Sequence, residues 1–268
     1  MKIKVASLTD TGLMRKNNED SLLVCPDLRD IAITEMEESI EVGLEGALFA
    51  VADGMGGKVA GEEASRMAIK GLEGLVASKV IKPGLPKEEI ERIFDVACMG
   101  IQISMVDLGQ EDPDTLGMGT TLVMGLIREG VVHLAWVGDS RCYLYRKGSG
   151  LSCMTKDHSY VQLLLDQGSI TPDEAFHHPH SNFVTRYLWC EDDDESLPDH
   201  TSFMLKAGDR LLFCSDGVNG MLRDREIEEV MAEEAETRAC VQRLVSDAIA
   251  RGGKDNITAI VVDLLSIG

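Results

Sequence analysis

Long apolar runs are scarce in this sequence. The most apolar stretch, ITAIVVDLL near the C-terminal end, is far shorter than the roughly 20 residues that a membrane helix requires. The N-terminal segment MKIKVASLTDTG alternates apolar and polar residues, so it lacks the apolar core of a signal peptide. We therefore expect a soluble protein without a membrane partner.

Paired cysteine motifs are also missing. The seven cysteines are an odd number, contain no CxxC pair, and in several cases lie inside apolar segments. Disulfide frameworks and zinc sites use paired, regularly spaced cysteines. We therefore expect reduced, buried thiols and a cytoplasmic location.

Basic residues are few. The chain has 26 Lys and Arg against 46 Asp and Glu, which gives a net charge of −20. Nucleic acids and anionic membranes bind clustered Lys and Arg, so we expect neither as a partner. Most of the acids are expected to keep the protein soluble, although some could be cation ligands.

The order of the predicted elements favours an α+β fold. Strands come in runs and helices come in pairs, which indicates antiparallel sheets with helices packed outside rather than alternating βαβ units. The chain has no internal repeat, so we predict a single domain over residues 1–268. Residues 27–46 are expected to form an exposed acidic loop or hairpin, and residues 168–200 an irregular segment. The predicted strands are 2–9, 21–25, 47–53, 120–127, 131–138, 141–146, 201–205, 210–215 and 256–265, and the predicted helices centre on 64–76, 90–101, 161–166, 227–231 and 241–249.

Acidic residues recur where predicted strands end. An Asp at a strand end is common turn chemistry, which would explain any one of them. A set of carboxylates gathered at sheet ends would instead suit Mg²⁺ or Mn²⁺, because these cations prefer oxygen ligands. The residues are Asp53, Asp139 and Asp216 at the ends of strands, Asp255 at the start of the last strand, and Glu19 with Asp20 before the second strand.

The stretch VADGMGGKVAG places several glycines directly after Asp53, more than a hairpin needs. We predict that Gly54 lets its own carbonyl approach a metal, and that the glycines after it adopt φ values that other residues resist. A phosphate-binding P-loop is excluded because Val59 stands where that motif requires Ser or Thr.

Six motifs together resemble the protein phosphatase 2C family of metal-dependent Ser/Thr phosphatases, in its bacterial form. They span residues 7–263, and a further segment, HPHSNFVTR, is similar to the flap of bacterial members. The resemblance implies a four-layer αββα sandwich, in which two central antiparallel sheets are flanked by helices. The motifs, in chain order, are GLMRKNNED, FAVADGMGG, GMGTTLV, VGDSR, LFCSDG and GGKDNIT.

The resemblance also implies a binuclear Mn²⁺ or Mg²⁺ centre. Asp53 is similar to the carboxylate that bridges the two metals, with the Gly54 carbonyl on one of them. Asp216 and Asp255 resemble ligands of the other metal. Two such cations can share a water, lower its pKa and supply hydroxide for direct in-line attack on the phosphoryl group, without a covalent intermediate.

Further positions match residues that surround this centre in the family. Glu19 and Asp20 resemble acids that hold metal-bound waters, and Asp139 resembles a residue that joins Asp216 at a third, weaker metal. Arg15 is similar to the guanidinium that clamps the substrate phosphate, which its planar fork suits better than lysine would. The resemblance thus implies catalytic roles for Arg15, Asp53 and Asp216.

One position departs from the animal members, which carry His directly after the metal-binding Asp-Gly. Here the residue is Met55, and a thioether cannot donate a proton. We expect a metal-bound water to serve as the general acid. Lys58 could contact substrate or remain solvated.

The net charge suggests a substrate preference. A surface this acidic repels anionic phosphoproteins unless the site is locally positive, and Arg15, Lys16, Lys58 and Arg186 could supply that patch. We therefore expect phosphopeptides with basic residues near the phosphosite to be the better substrates.

Two further segments resemble binding sites in composition, but a simpler interpretation is expected for each. The cluster of His177, His178 and His180 resembles a metal site in composition, but no further ligand stands at a suitable spacing, so we expect an exposed loop. The run CEDDDES is expected to be a solvated charge run.

A catalytically silent protein that scaffolds phosphoproteins or a kinase is the main alternative function, and a metal-dependent nuclease is disfavoured by the charge. The expected partners are Ser/Thr-phosphorylated proteins and a cognate Ser/Thr kinase, with the chain as a monomer.

Overall fold

Two antiparallel β-sheets form the centre of the structure, a computed structural model that describes residues 1–29, 39–56, 60–189 and 197–267. The first sheet has the strand order β3-β1-β12-β11-β8-β9, and the second has the order β10-β7-β6-β4-β2 with β5 paired to β4. The described strands are β1 (Lys2–Asp10), β2 (Asp20–Cys25), β3 (Ile40–Glu41), β4 (Ala47–Met55), β5 (Gly119–Thr120), β6 (Leu122–Arg128), β7 (Val131–Val137), β8 (Arg141–Arg146), β9 (Gly150–Cys153), β10 (Asp199–Met204), β11 (Arg210–Cys214) and β12 (Ile257–Ser266).

Helices cover the outer faces of both sheets. The first two pack on each other and on the second sheet, whereas the last three lie against the first sheet. Among the described residues, no helix is both long and apolar enough to cross a membrane. The helices are α1 (Ala60–Ser78), α2 (Lys87–Glu111), α3 (Tyr160–Asp166), α4 (Pro172–Phe176), α5 (Asp216–Asn219), α6 (Asp224–Glu233) and α7 (Thr237–Ala250).

Three apolar cores separate the four layers. Phe49 and Phe213, one from each sheet, are fully buried between the sheets with ring centroids 6.2 Å apart. Phe94 of α2 lies in the core between the helices and the second sheet, and Leu244 of α7 lies in the core outside the first sheet. The alternation of strand residues therefore buries one face between the sheets and the other under helices. The predicted αββα sandwich is confirmed.

Several short elements were not predicted. Residues 168–200, expected to be irregular, contain α4, which begins at a capping box formed by Thr171 and Glu174. A five-residue helix is too short to show helical periodicity, so only its cap could have indicated it. The edge strand β9 was also missed because its four residues are at most partly buried and carry no clear alternation.

The segment 27–46 is only partly the exposed loop or hairpin that we expected. Its described ends pack against the body of the protein, since Leu28 and Val42 are buried and β3 pairs with β1. Residues 30–38 lie outside the described residues.

Candidate metal centre

The strand ends that carry the predicted acids meet at one end of the two sheets. In the second sheet, Asp20 opens β2 and lies directly opposite Asp53 of β4. In the first sheet, Asp216 follows β11, and Asp255 precedes β12, with which β11 pairs. Directly opposed residues in antiparallel strands have Cβ atoms about 5 Å apart. Sheet pairing thus gathers acids that are distant in sequence.

Asp20, Asp53 and Asp216 form the middle of this cluster. The Asp216 carboxyl lies beside that of Asp53, and the Ser215 hydroxyl donates to Asp20 Oδ2 at 2.7 Å. Two further oxygens, Asp20 Oδ1 and Asp216 Oδ1, are buried and have no hydrogen-bond partner among the described residues. Buried polar atoms are nearly always paired, so these two oxygens indicate a position that a bound cation would complete.

Burial raises the pKa of four carboxyls here, those of Asp20, Asp53, Asp139 and Asp216, and repulsion from neighbouring carboxylates adds to it. The pKa of Asp20 rises to about 6 and that of Asp216 to about 7. The pKa values of Asp53 and Asp139 rise well above the ordinary value of 3.8 for the same two reasons. The cluster is therefore a concentration of negative charge that either protons or divalent cations neutralise.

The glycines beside Asp53 allow backbone segments to approach closely. A Cβ added at Gly54 would lie 1.9 Å from the Gly61 carbonyl oxygen and 2.8 Å from that of Glu19. A Cβ added at Gly61 would lie 2.9 Å from Cδ of Glu19, so the Glu19 side chain also reaches this region. The carbonyls of Gly61 and Glu19 therefore approach Gly54 more closely than any residue with a side chain would allow.

These residues fit Mn²⁺ or Mg²⁺. Within the described residues, no group of three or more His, Cys, Asp or Glu side chains is arranged so that it could hold a metal ion by itself. Hard cations do not require one, because they accept backbone carbonyls and several waters alongside one or two carboxylates. The unpartnered oxygens of Asp20 and Asp216, the adjacent Asp53 and the cradle at Gly54 supply that kind of donor set.

Asp139 joins the cluster through a buried hydroxyl network. The Thr121 hydroxyl accepts a hydrogen bond from the Asp53 backbone N–H at 3.1 Å and lies 2.7 Å from the Ser140 hydroxyl. On the other side of Asp139, the Gly138 N–H donates to His158 Nδ1 at 3.0 Å. Hydrogen bonds therefore hold Gly138 and Ser140, the sequence neighbours of Asp139. The same network links the end of β4 to the β7–β8 turn.

Arg15 lies beside the cluster in an ion pair. Its Nη2 donates to Asp255 Oδ2 at 2.6 Å. Asn256 fixes the loop that carries Arg15, because its amide donates to the carbonyls of Thr11 and Asn17 at 3.0 and 2.8 Å. This places a guanidinium within reach of the predicted metal ligands.

A cavity of about 930 Å³ opens next to these residues. Asp139, Asp216, Asp255 and Arg15 line it on the side of the cluster. One wall comes from α3 and α4, and the other from the segment between α5 and α6. Arg223 links the two walls, since its guanidinium lies 4.7 Å from the ring centroid of Phe176. The cavity is large enough to hold a peptide side chain and its neighbours beside the acids.

Two further residues, Arg186 and Lys58, were predicted to bind substrate. Arg186 is not among the described residues that line it, and its Nη1 donates to Asp199 Oδ1 at 2.9 Å. This ion pair occupies the guanidinium that we had expected to face substrate, so we leave Arg186 out of the site. Lys58 lies outside the described residues.

The histidine cluster forms part of the outer surface. His177 and His180 are exposed, and His178 and His180 contact the ring of Tyr160. His177 Nε2 lies 3.1 Å from Nη2 of Arg223, a cation that disfavours a metal at this position. The run CEDDDES lies outside the described residues.

Sequence reasoning missed the residues that hold the acids in place. Ser215, Thr121 and Asn256 each contact the cluster or its loops through short hydrogen bonds. All three stand within the motifs quoted above, and Ser215 and Asn256 are adjacent in sequence to Asp216 and Asp255. For these two, a hydroxyl or amide next to a strand-end carboxylate could have indicated their role, whereas Thr121 has no such neighbour in the sequence.

The metal-free protein is expected to lose stability as pH rises from about 4 to about 7. The folded-state pKa of Asp216 is raised from 3.8 to about 7, so its contribution is fully present below 3.8 and is lost as pH rises through 7. The difference corresponds to roughly 4 kcal/mol at most. Denaturant unfolding in EDTA at several pH values would measure it, with Asp216→Asn expected to flatten the slope. Equal slopes for the two proteins would contradict the prediction.

The sequence is similar to known protein phosphatases over most of its length. The family model for protein phosphatase 2C matches residues 39–251. The Ser/Thr protein phosphatase PstP of Mycobacterium tuberculosis is 35% identical over 264 residues, which is 98% of this chain but 45% of PstP. The Ser/Thr phosphatase stp of Listeria monocytogenes is 33% identical over 255 residues, covering 95% of this chain and 93% of that protein.

The fold agrees with solved structures. The catalytic domain of PstP, in a crystal structure with two manganese ions, superposes with a TM-score of 0.80 at 34% identity over 99% of both chains. The present chain therefore matches the catalytic domain of PstP and spans less than half the length of the full PstP. The extent of these matches, together with the strand-end acids they enclose, shows that the chain belongs to the protein phosphatase 2C family.

Proposed function

We propose that this chain is a Ser/Thr phosphoprotein phosphatase that requires Mn²⁺ or Mg²⁺. The observation that carries the proposal is a pair of buried oxygens, on Asp20 and Asp216, that have no hydrogen-bond partner among the described residues and lie next to Asp53, beside a cavity that Arg15 lines. Membership of the family and the two manganese ions bound by PstP support the same function.

Several acidic residues of this chain would form the metal centre. Asp53, the Gly54 carbonyl, Asp216 and Asp255 would hold the two cations. When bound, the cations supply a water of lowered pKa and positive charge that stabilises the phosphoryl group during transfer. Asp139, together with Asp216, would hold a third, more weakly bound cation.

Glu19 and Asp20 would orient water at the centre. The Ser215 hydroxyl holds one oxygen of Asp20 and leaves the other free to accept from water or bind a cation. Burial raises the pKa of Glu19, which therefore retains a proton to higher pH than an exposed Glu.

Arg15 would bind the substrate phosphate. Its side chain is 47% exposed and spends one donor on Asp255, so further N–H groups of the planar fork remain for phosphate oxygens. In the reaction, a water oxygen bonds to phosphorus as the bond to the Ser or Thr oxygen breaks. Met55 offers no proton, so the leaving alkoxide would take its proton from water.

A phosphate-release assay tests the function directly. With a phosphothreonine peptide, we expect hydrolysis in Mn²⁺, loss of hydrolysis after chelation, and recovery when Mn²⁺ is restored. Chelated protein should remain folded by circular dichroism, which separates loss of chemistry from loss of structure. Hydrolysis that persists after complete metal removal would overturn the proposal.

The alternative of a silent scaffold has less support. Such a protein would bind phosphorylated partners without cleaving them, and loss of the metal-binding acids would mark it. Asp53, Asp216 and Asp255 are all present and stand together at the strand ends.

The charge of the cavity supports a preference among substrates. Three of the cations that line it already pair with aspartates, namely Arg15 with Asp255, Arg141 with Asp157 and Arg223 with Asp173. We expect peptides with basic residues near the phosphosite to have a kcat/KM about tenfold above that of acidic peptides at low salt, with a gap that shrinks as salt rises. Equal kcat/KM values at low salt would contradict this.

The proposed substrates are Ser/Thr-phosphorylated proteins, which a Ser/Thr kinase in the same compartment would produce. We keep the cytoplasm as the proposed location. The free cysteines among the described residues support it, because all but Cys153 are buried, as expected for thiols in a reducing compartment.

A further inference from the structure

We propose that the outer face of α2 is a self-association surface, on which two copies of this chain pack α2 against α2 in antiparallel orientation. Three large apolar side chains lie on this face and are mostly exposed: Val96 by 62%, Met99 by 52% and Ile103 by 59%. Their spacing of three and four residues puts them in one row along the helix.

This row is not the side on which α2 packs within the chain. The buried residues of α2 include Ile90, Phe94, Cys98, Ile101 and Met105, which join the core over the second sheet. The helix therefore has two apolar faces, and the described part of the chain covers one of them. A second apolar row on an otherwise acidic surface favours an apolar partner.

The residues along the row are arranged symmetrically about one point of the helix. A second copy of α2, running in the opposite direction about that point, would therefore place complementary residues against them. The midpoint between Val96 and Ile103 falls between Met99 and Gly100, and the midpoint between Arg92 and Asp107 falls at the same place. When two copies run antiparallel about that point, Val96 faces Ile103 of the partner and Arg92 faces its Asp107. A two-fold interface repeats each contact, so two ion pairs would flank one apolar centre.

The two charged residues are available for such pairs. Arg92 and Asp107 are exposed, and no ion pair to Asp107 is found in the described part of the chain. Arg92 contacts Glu89 one turn earlier at 2.8 Å, in a pair whose side chains are 69% and 40% exposed. A solvated pair of this kind is weak and leaves the guanidinium free to bind a second carboxylate.

Gly100 suits the crossing point. A Cβ added there would meet nothing within 4 Å, so this position is open on the surface. The separation of two packed helices depends on the side chains at their contact, and a glycine lets Met99 of the partner lie close to the backbone.

The contact is expected to be weak. One pair of helices covers less than the roughly 800 Å² per partner of a standard interface, so a monomer–dimer equilibrium is expected rather than a permanent dimer. This departs from the monomer expected from the sequence. None of the described residues that line the active-site cavity comes from α2, so self-association leaves that site open and can be tested without activity.

Sedimentation velocity over a concentration series tests the proposal. We expect wild-type protein to form dimers at concentrations on the order of 100 μM in low salt. Met99→Glu should abolish them by placing two charges at the centre. Arg92→Asp and Asp107→Arg should each raise the dimer dissociation constant by about tenfold or more, because like charges then face each other twice.

The double variant Arg92→Asp/Asp107→Arg should restore the wild-type dissociation constant, since the opposite charges again face each other. Lys70→Asp, an equal change in charge on the exposed surface of α1, is the matched control and should leave association unchanged. A wild-type protein that stays monomeric at these concentrations overturns the proposal and leaves the face to a different protein. The proposal is also overturned if Met99→Glu leaves the dimer dissociation constant unchanged, or if the double variant does not regain the wild-type dissociation constant.

Discussion

Replacing Asp216 with Asn is expected to lower kcat/KM for a phosphothreonine peptide in Mn²⁺ by at least about 10³-fold. Asn keeps the shape of the side chain but removes the charge from a group whose Oδ1 is buried without a partner and which contacts Asp53. A neutral amide also donates where a cation needs an acceptor. Steady-state kinetics over a range of Mn²⁺ concentrations would measure both the rate and the apparent metal affinity.

A matched control separates the metal site from general stability. Asp263 on β12 is also a mostly buried carboxylate, but it pairs with Arg210 and accepts from the Thr237 hydroxyl. Asp263→Asn should reduce the free energy of unfolding because it leaves Arg210 partly uncompensated, yet the Mn²⁺ dependence of the remaining folded enzyme should not change. Wild-type turnover by Asp216→Asn would show that the assignment of Asp216 is wrong.

Replacing Gly54 with Ala is expected to damage both the stability and the metal response of the protein. The new Cβ would lie 1.9 Å from the Gly61 carbonyl oxygen, and the obstructing atoms are backbone, which cannot rotate away. The end of β4 would then have to move from the start of α1 and from Glu19. Forcing such contacts typically costs about 1–3 kcal/mol and sometimes more. Thermal unfolding with and without Mn²⁺ should show a lower Tm and a smaller rise on adding the metal.

Gly74→Ala provides the comparison. Gly74 lies inside α1, and an added Cβ there would meet nothing within 4 Å. The same substitution at this position should stabilise the protein by about 0.5–1 kcal/mol, because alanine favours the helix. If Gly54→Ala behaved like Gly74→Ala, with an unchanged response to Mn²⁺, the close backbone approach at Gly54 would not support a metal site.

Much of the fold follows from local patterns. The alternation in β1 and the helical spacing in α1 and α2 predict elements close to those observed, because each pattern reflects a face that must be buried. The short elements β3, β9, α4 and α5 could not be predicted this way. They contain too few residues to repeat a period, so their conformations depend on caps and on neighbouring strands.

The sequence by itself determined which residues could bind a cation, since a carboxylate after an apolar strand can be recognised from its neighbours. It did not determine which carboxylates meet. Only the tertiary structure set Asp20 opposite Asp53, brought Asp216 into contact with them and paired Arg15 with Asp255. It also paired Arg186 with Asp199, whereas we had expected the Arg186 guanidinium to face the substrate. The reason is that side-chain partners depend on strand register and sheet packing, which join distant segments, whereas local patterns record only whether a residue is buried.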